Sequence, residues 1–169
     1  HYASRVAMDI EGLGEKQIEL LYSLGYLKDI SDIYILKNYE QELLAIERFG
    51  KKKIDNLLNA IEESKNNSLE RLLFALGIEQ VGEKTAKILA RKYESLDNLM
   101  NAKFENLTDI NDIGDIIAKS IVDYFNSDEN KKMLNSLKKI GVNTLYLGEK
   151  REEKDSFSGK TFVVTGTLI

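Results

Sequence analysis

A nine-residue pattern recurs four times along this 169-residue chain, each time with a glycine in the same place. The copies cover 10–18, 46–54, 78–86 and 110–118, and their shared glycines are Gly14, Gly50, Gly82 and Gly114. Those glycines lie 36, 32 and 32 residues apart. Each copy opens on an isoleucine, passes two variable residues, reaches a second apolar residue (Leu13, Phe49, Val81 or Ile113), then the glycine and a helical stretch. Self-similarity at such a period means that one supersecondary unit is reused, and units of this size bury their apolar faces against neighbouring copies.

The stretches between the copies have helical spacing. Leu69, Leu72, Leu73 and Leu76 recur at i, i+3, i+4 and i+7, and Met133, Leu137 and Ile140 follow a similar rule. Gly25, Gly77 and Gly141 each stand between a helical stretch and an apolar residue, the pattern of a left-handed helix stop. Proline is absent, in keeping with helices that end on glycine. Residues 1–145 therefore read as short helices joined by tight turns, with Ser4 as a cap on a helix leading into the first turn. The polar run Ser64-Lys65-Asn66-Asn67-Ser68 divides them into a unit over 1–66 and another over 67–145. Residues 149–155 are consecutive charged residues, the core of a solvated linker over 146–156. From 157 to 169 the composition turns β-branched and aromatic (Thr161, Phe162, Val163, Val164, Thr165), which predicts a strand. One strand does not fold alone, so this end is read as the start of a second domain. The Thr165-Gly166 pair reads as an incomplete turn.

The repeated turn suggests a chemistry. Its apolar residue plugs the gap between two helices, and the glycine lets another backbone approach closely. The helix that follows begins with unpaired N–H groups and a positive dipole end, which attract an anion such as a DNA phosphate. Lys16, Lys52 and Lys84 stand two residues past their glycines, while Ile116 occupies that position in the fourth copy. Arg48, Lys51, Lys52 and Lys53 concentrate positive charge around Gly50, although the whole chain carries −4. Acidic pairs lie elsewhere, at Glu62-Glu63, Asp128-Glu129 and Glu152-Glu153. Asp112 and Asp115 flank Gly114, so the fourth copy is expected to bind phosphate least and to serve mainly by packing on the third. The candidate DNA-binding set is Gly12, Gly14, Lys16, Arg48, Gly50, Lys51, Lys52, Lys53, Gly82, Lys84, Thr85 and Gly114. Arg5 stays open between an ordinary surface residue and a DNA contact. Contacts of this kind hold a duplex without reading its bases.

Several classes drop out. No cysteine is present, and the one histidine is His1, so a disulfide framework, a thiolate metal site and a histidine-based nucleophilic triad lack their parts. No apolar run approaches a membrane span, and no membrane partner is expected.

The four copies resemble the helix-hairpin-helix motif, whose pattern is apolar-x-Gly-apolar-Gly. Only the first copy has both glycines, Gly12 and Gly14; Arg48, Gln80 and Asp112 replace the first glycine elsewhere, and altered turns are expected there. Three stretches, 1–14, 69–77 and 81–86, are similar to the C-terminal half of bacterial NAD-dependent DNA ligases, and 157–168 resembles the opening of that family's BRCT domain. The resemblance implies an all-α fold of four tandem helix-hairpin-helix motifs in two pairs, followed by a short β-strand stub. It implies a cytoplasmic enzyme that adenylates a lysine with NAD, transfers AMP to a 5′-phosphate and seals the nick. NAD, magnesium and zinc are implied for that parent enzyme and no cofactor for these residues, which lack the family's Lys-x-Asp-Gly motif. The implied partners are nicked double-stranded DNA and the other domains of the ligase. Two other classes remain: a helix-hairpin-helix scaffold of another repair or recombination protein, and a protein-interaction domain without a DNA role.

Overall fold

The structure, a computed structural model, describes residues 1–46 and 49–148. Arg48, most of the expected linker and the strand expected over 157–169 lie outside the described residues. Within them the chain forms α1 (Glu15–Ser23), a 3₁₀ helix (Ile30–Tyr39), α2 (Glu40–Leu44), α3 (Lys51–Ser64), α4 (Leu69–Ala75) and α5 (Glu83–Tyr93). There follow α6 (Leu96–Met100), α7 (Phe104–Thr108), α8 (Asp115–Asn126) and α9 (Asp128–Ile140). Extended pairing among the described residues is limited to one antiparallel bridge, Ser95 with Leu145.

Three helices, α1, α4 and α9, stop where the glycines expected as stops stand. Gly25 (φ +90°) and Gly141 (φ +106°) are left-handed. Tyr26 and Val142 donate their N–H groups back to the carbonyls of Leu21 and Leu137, the long hydrogen bond of a Schellman motif. The 3₁₀ helix begins on a reciprocal cap, with Asp29 accepting from the Ser31 N–H at 2.8 Å and Asp32 accepting from the Asp29 N–H at 3.0 Å.

One expectation fails. Residues 1–9 form successive turns, so Ser4 caps no helix and the first repeated turn has no α-helix before it. The reason is tertiary. Arg71 of α4 donates to the carbonyls of Ala7 (2.8 Å) and Arg5 (2.6 Å), and Asn67 donates to that of Met8 (2.9 Å). Carbonyls that a helix would use internally are thus claimed from outside, and Asp9 turns the chain at φ +56°.

The polar run at 64–68 does break the chain, between the end of α3 and the start of α4. Core packing continues across it: the buried side chains form one contiguous cluster from Tyr2 to Tyr146. The segment after α9 stitches the same place. Asn143 donates its backbone N–H to Lys65 O (2.8 Å) and its side-chain amide to Asn67 O (2.9 Å), while the Leu147 N–H reaches Ser68 Oγ (2.8 Å). In the first half a buried chain of hydroxyls, Tyr2 to Tyr34 (2.5 Å) and Tyr34 to Ser64 (3.3 Å), joins the N-terminal turns, the 3₁₀ helix and the end of α3.

Candidate nucleic-acid interface

Each repeated segment carries the same turn hydrogen bond. The N–H of the plugging residue donates to the carbonyl three residues earlier: Leu13 to Ile10 (3.2 Å), Phe49 to Ile46 (3.1 Å), Val81 to Ile78 (3.0 Å) and Ile113 to Ile110 (3.1 Å). All four plugs are buried. The residue before the plug is left-handed in the three copies where it is described: Gly12 at φ +93°, Gln80 at +70° and Asp112 at +74°. A positive φ at the third position of such a turn is the mark of type II. The expectation that losing the first glycine alters the turn is therefore corrected for Gln80 and Asp112. Both turns keep the same backbone, and the side chains of Gln80 and Asp112 accept the strain of a left-handed residue, of order 1–2 kcal/mol.

The shared glycines are not left-handed. Gly14, Gly50, Gly82 and Gly114 are the N-caps of α1, α3, α5 and α8, with extended backbone that any residue adopts (φ −81°, −77°, −90° and −89°). None of the four helices has a side-chain N-cap hydrogen bond, so the N–H groups of their first turns face outward without one. A Cβ built at Gly50, Gly82 or Gly114 meets nothing within 4 Å, and one at Gly14 meets only the flexible tip of Gln17 at 3.1 Å. Neither backbone conformation nor internal packing asks for glycine there.

Four and seven residues past each glycine the chain turns inward. Ile54, Ala86 and Ala118 are buried and Ile18 is half-buried, and Leu21, Leu57, Leu89 and Ile121 are buried. That packing anchors each helix so that its N-terminal end points out. Within each half the first turn rests on the helix of the second. Gly12 lies against Leu57, where a Cβ would sit 3.6 Å away, and Ser120 Oγ of α8 donates to Glu79 O at 2.6 Å.

The lysines divide into engaged and free. Lys16, Lys52 and Lys84 are exposed in the first turns and form no ion pair among the described residues. Lys51 pairs with Asp55 at 3.4 Å, and the Lys53 ammonium lies over the Phe49 ring, 5.5 Å from its centroid. Lys51, Lys52 and Lys53 are all exposed, but of these Lys52 makes no ion pair or ring contact among the described residues, and α3 carries no acid in its first turn. Thr85 is half-buried one residue after Lys84. Lys87, which the sequence reading missed, lines one groove of about 450 Å³ of mixed charge, with Lys84 and Arg71 beside Glu70 and Glu83; its i+3 spacing from Lys84 was the available signal. Around Gly114, Asp115 opens α8, Ile116 is 74 % exposed, and Lys119 is tied to Asp123 at 2.8 Å. Arg5 is exposed, and its carbonyl is held by Arg71.

Among the described residues no group of three or more His, Cys, Asp or Glu is arranged to hold a metal ion. No described helix is long and apolar enough to cross a membrane.

Residues 71–134 match the family described as helix-hairpin-helix motif. Over 99 % of its length the chain is also similar to proteins named DNA ligase. It is 50 % identical over 168 residues to that of Mycoplasma capricolum subsp. capricolum, 51 % over 169 to that of Natranaerobius thermophilus and 46 % over 168 to that of Acetivibrio thermocellus. The chain spans 25 % of the length of each of these relatives.

Proposed function

We propose that this chain is the DNA-gripping segment of an NAD-dependent DNA ligase. Four helix-hairpin-helix motifs, paired within 1–66 and 67–145, hold nicked duplex through phosphate contacts across the minor groove. Other domains of the cytoplasmic enzyme carry out sealing during replication and repair. A linker over 146–156 and the beginning of a BRCT domain over 157–169 complete the proposed organisation.

The observation that carries this reading is the fourfold recurrence of a helix N-terminus without a side-chain cap, behind a glycine that nothing inside the chain requires. Outward N–H groups at the positive end of a helix dipole receive an anion. A hydrogen in place of Cβ lets a phosphate oxygen reach them. The similarity to proteins named DNA ligase supplies the enzyme class, and the free lysines at 16, 52 and 84 supply charge that complements the phosphates. In this reading the chain binds no cofactor; NAD, magnesium and zinc belong to the remainder of the ligase, as does the nucleotidyl chemistry.

The test is binding of the chain to nicked duplexes of two unrelated sequences over a salt series. Phosphate contacts release counterions, so the log–log slope is about −0.9 per neutralised phosphate, with similar affinities for both sequences. Binding that stays flat with salt, or that depends strongly on sequence, refutes the reading. Incubation with NAD and nicked duplex is expected to leave both the chain and the nick unmodified.

A further inference from the structure

The third turn holds its left-handed residue by a different device from the first. In a type II turn the central peptide is the unit whose flip produces type I, and positive φ at the third position selects type II. Gly12 takes that conformation without a steric penalty. Asp112 has the short polar side chain that tolerates it. Gln80 has neither advantage, yet it sits at φ +70°.

The central peptide here runs from the carbonyl of Glu79 to the N–H of Gln80. Ser120 Oγ donates to that carbonyl oxygen at 2.6 Å, across 41 residues of sequence. A helical serine ordinarily donates to a carbonyl one turn back in its own helix, as Ser136 does to Lys132. Ser120 reaches out of α8 instead. A peptide flip swings the Glu79 oxygen away and breaks the bond, so the hydroxyl selects type II. In the first half the equivalent position, six residues past its glycine, is Asn56, which makes no hydrogen bond to Glu11 O; with glycine at position 12 none is needed.

We propose that Ser120 is a positioning residue for the third hairpin: its hydroxyl locks the Glu79–Gln80 peptide and takes over what a glycine at position 80 supplies. The lock fixes Val81 and Gly82, and through them the direction in which the first N–H groups of α5 face a DNA phosphate. This last step rests on the function proposed above. It also assigns the fourth hairpin a task, since the helix poorest in free positive charge at its start carries the residue that shapes its neighbour.

The test is a double-mutant cycle in the full chain with Ser120→Ala, Gln80→Gly and the two combined. It is read by nicked-duplex affinity and by the backbone ¹³C shifts of residues 79 and 80. Ser120→Ala is expected to weaken binding about fivefold, from the left-handed penalty left uncompensated, and to move both shifts towards type I values. Gln80→Gly alone leaves affinity near the starting value, and added to Ser120→Ala it restores both affinity and the type II shifts. Ser120→Thr, which keeps the hydroxyl, retains both. Unchanged affinity and shifts in Ser120→Ala, or a loss that Gln80→Gly does not repair, overturns the proposal; ordinary packing damage at position 120 gives the second result. Lys84→Glu is measured alongside. If it leaves affinity unchanged, the phosphate site at the third hairpin fails, and the shifts then decide the peptide lock by themselves.

Discussion

Replacing Gly82 by alanine separates a requirement of the fold from a requirement of the ligand. The residue sits at φ −90° and ψ −168°, a conformation alanine adopts, and its Cβ meets no atom within 4 Å. Two small effects oppose each other in the unbound chain. Alanine is the poorer N-cap, by about 0.5–1 kcal/mol. It also stiffens the unfolded chain, which stabilises by about 0.4–1 kcal/mol. The net change is expected within about 0.5 kcal/mol, or a shift in Tm of no more than about 2 °C for a chain of this length. Binding responds differently. The new methyl occupies the space through which a phosphate reaches the N–H groups of α5, and one charge-assisted hydrogen bond lost is worth about 1.5–3 kcal/mol, or roughly ten- to 150-fold in affinity. Thermal unfolding and fluorescence anisotropy on a nicked duplex measure the two quantities on one preparation. Gly12→Ala is the internal contrast. With φ +93° and Leu57 behind it, that change is expected to cost about 1–2 kcal/mol of stability. If Gly82→Ala binds DNA like the parent chain, the open space at this N-cap is not where phosphate enters. If it unfolds several degrees lower, the glycine serves the fold after all.

Single charge changes should rank the hairpins: Lys52→Glu lowers nicked-duplex affinity most, Lys84→Glu less, and Ile116→Lys raises it little, because Asp115 stays beside it. Equal sensitivity at all three positions in a titration series defeats local charge as the ranking principle. Tyr34→Phe removes the partner of the buried Tyr2 hydroxyl and is expected to cost about 1–3 kcal/mol, seen as a Tm lower by several degrees; an unchanged Tm contradicts the hydroxyl chain. Burial raises Tyr2, with the neighbouring Tyr34 adding to it, and burial also raises Tyr34 and pushes Tyr124 up to about 12. The neutral hydroxyls are favoured in the fold, so their contribution is complete below the unfolded value near 10 and is lost as pH rises above it. Denaturant midpoints should fall steadily above about pH 10, and less steeply in Tyr124→Phe; a flat alkaline limb in the parent chain rules this out.

The repeat itself was legible because its signals are local. A glycine after an apolar residue, helical spacing beyond it and a lysine in the first turn are all set by neighbours a few residues away, and the structure places Gly14, Gly50, Gly82 and Gly114 at four helix N-termini. The break at 64–68 was visible for the same reason, since a run of polar residues interrupts the helical apolar spacing between α3 and α4. What sequence could not show was decided by groups far apart in the chain. A helix expected after Ser4 gave way because Arg71 and Asn67, some 60 residues on, take its carbonyls. Gln80 and Asp112 keep a glycine's conformation that residue preference does not encode, and the peptide before Gln80 is held by Ser120 from another helix. A row of lysines around Gly50 looked uniform in sequence; the fold pairs exposed Lys51 with Asp55, sets Lys53 over Phe49 and leaves Lys52 without a partner among the described residues. Ser120 carried no sequence signal at all, because a serine in a helix is unremarked until the fold brings a distant carbonyl within 2.6 Å of its hydroxyl. Local spacing of apolar residue, glycine and helix thus wrote the four helix starts into the sequence. Which side chains remain free to meet an anion, and which hold the turns in shape, was settled by contacts that exist only once the chain has folded.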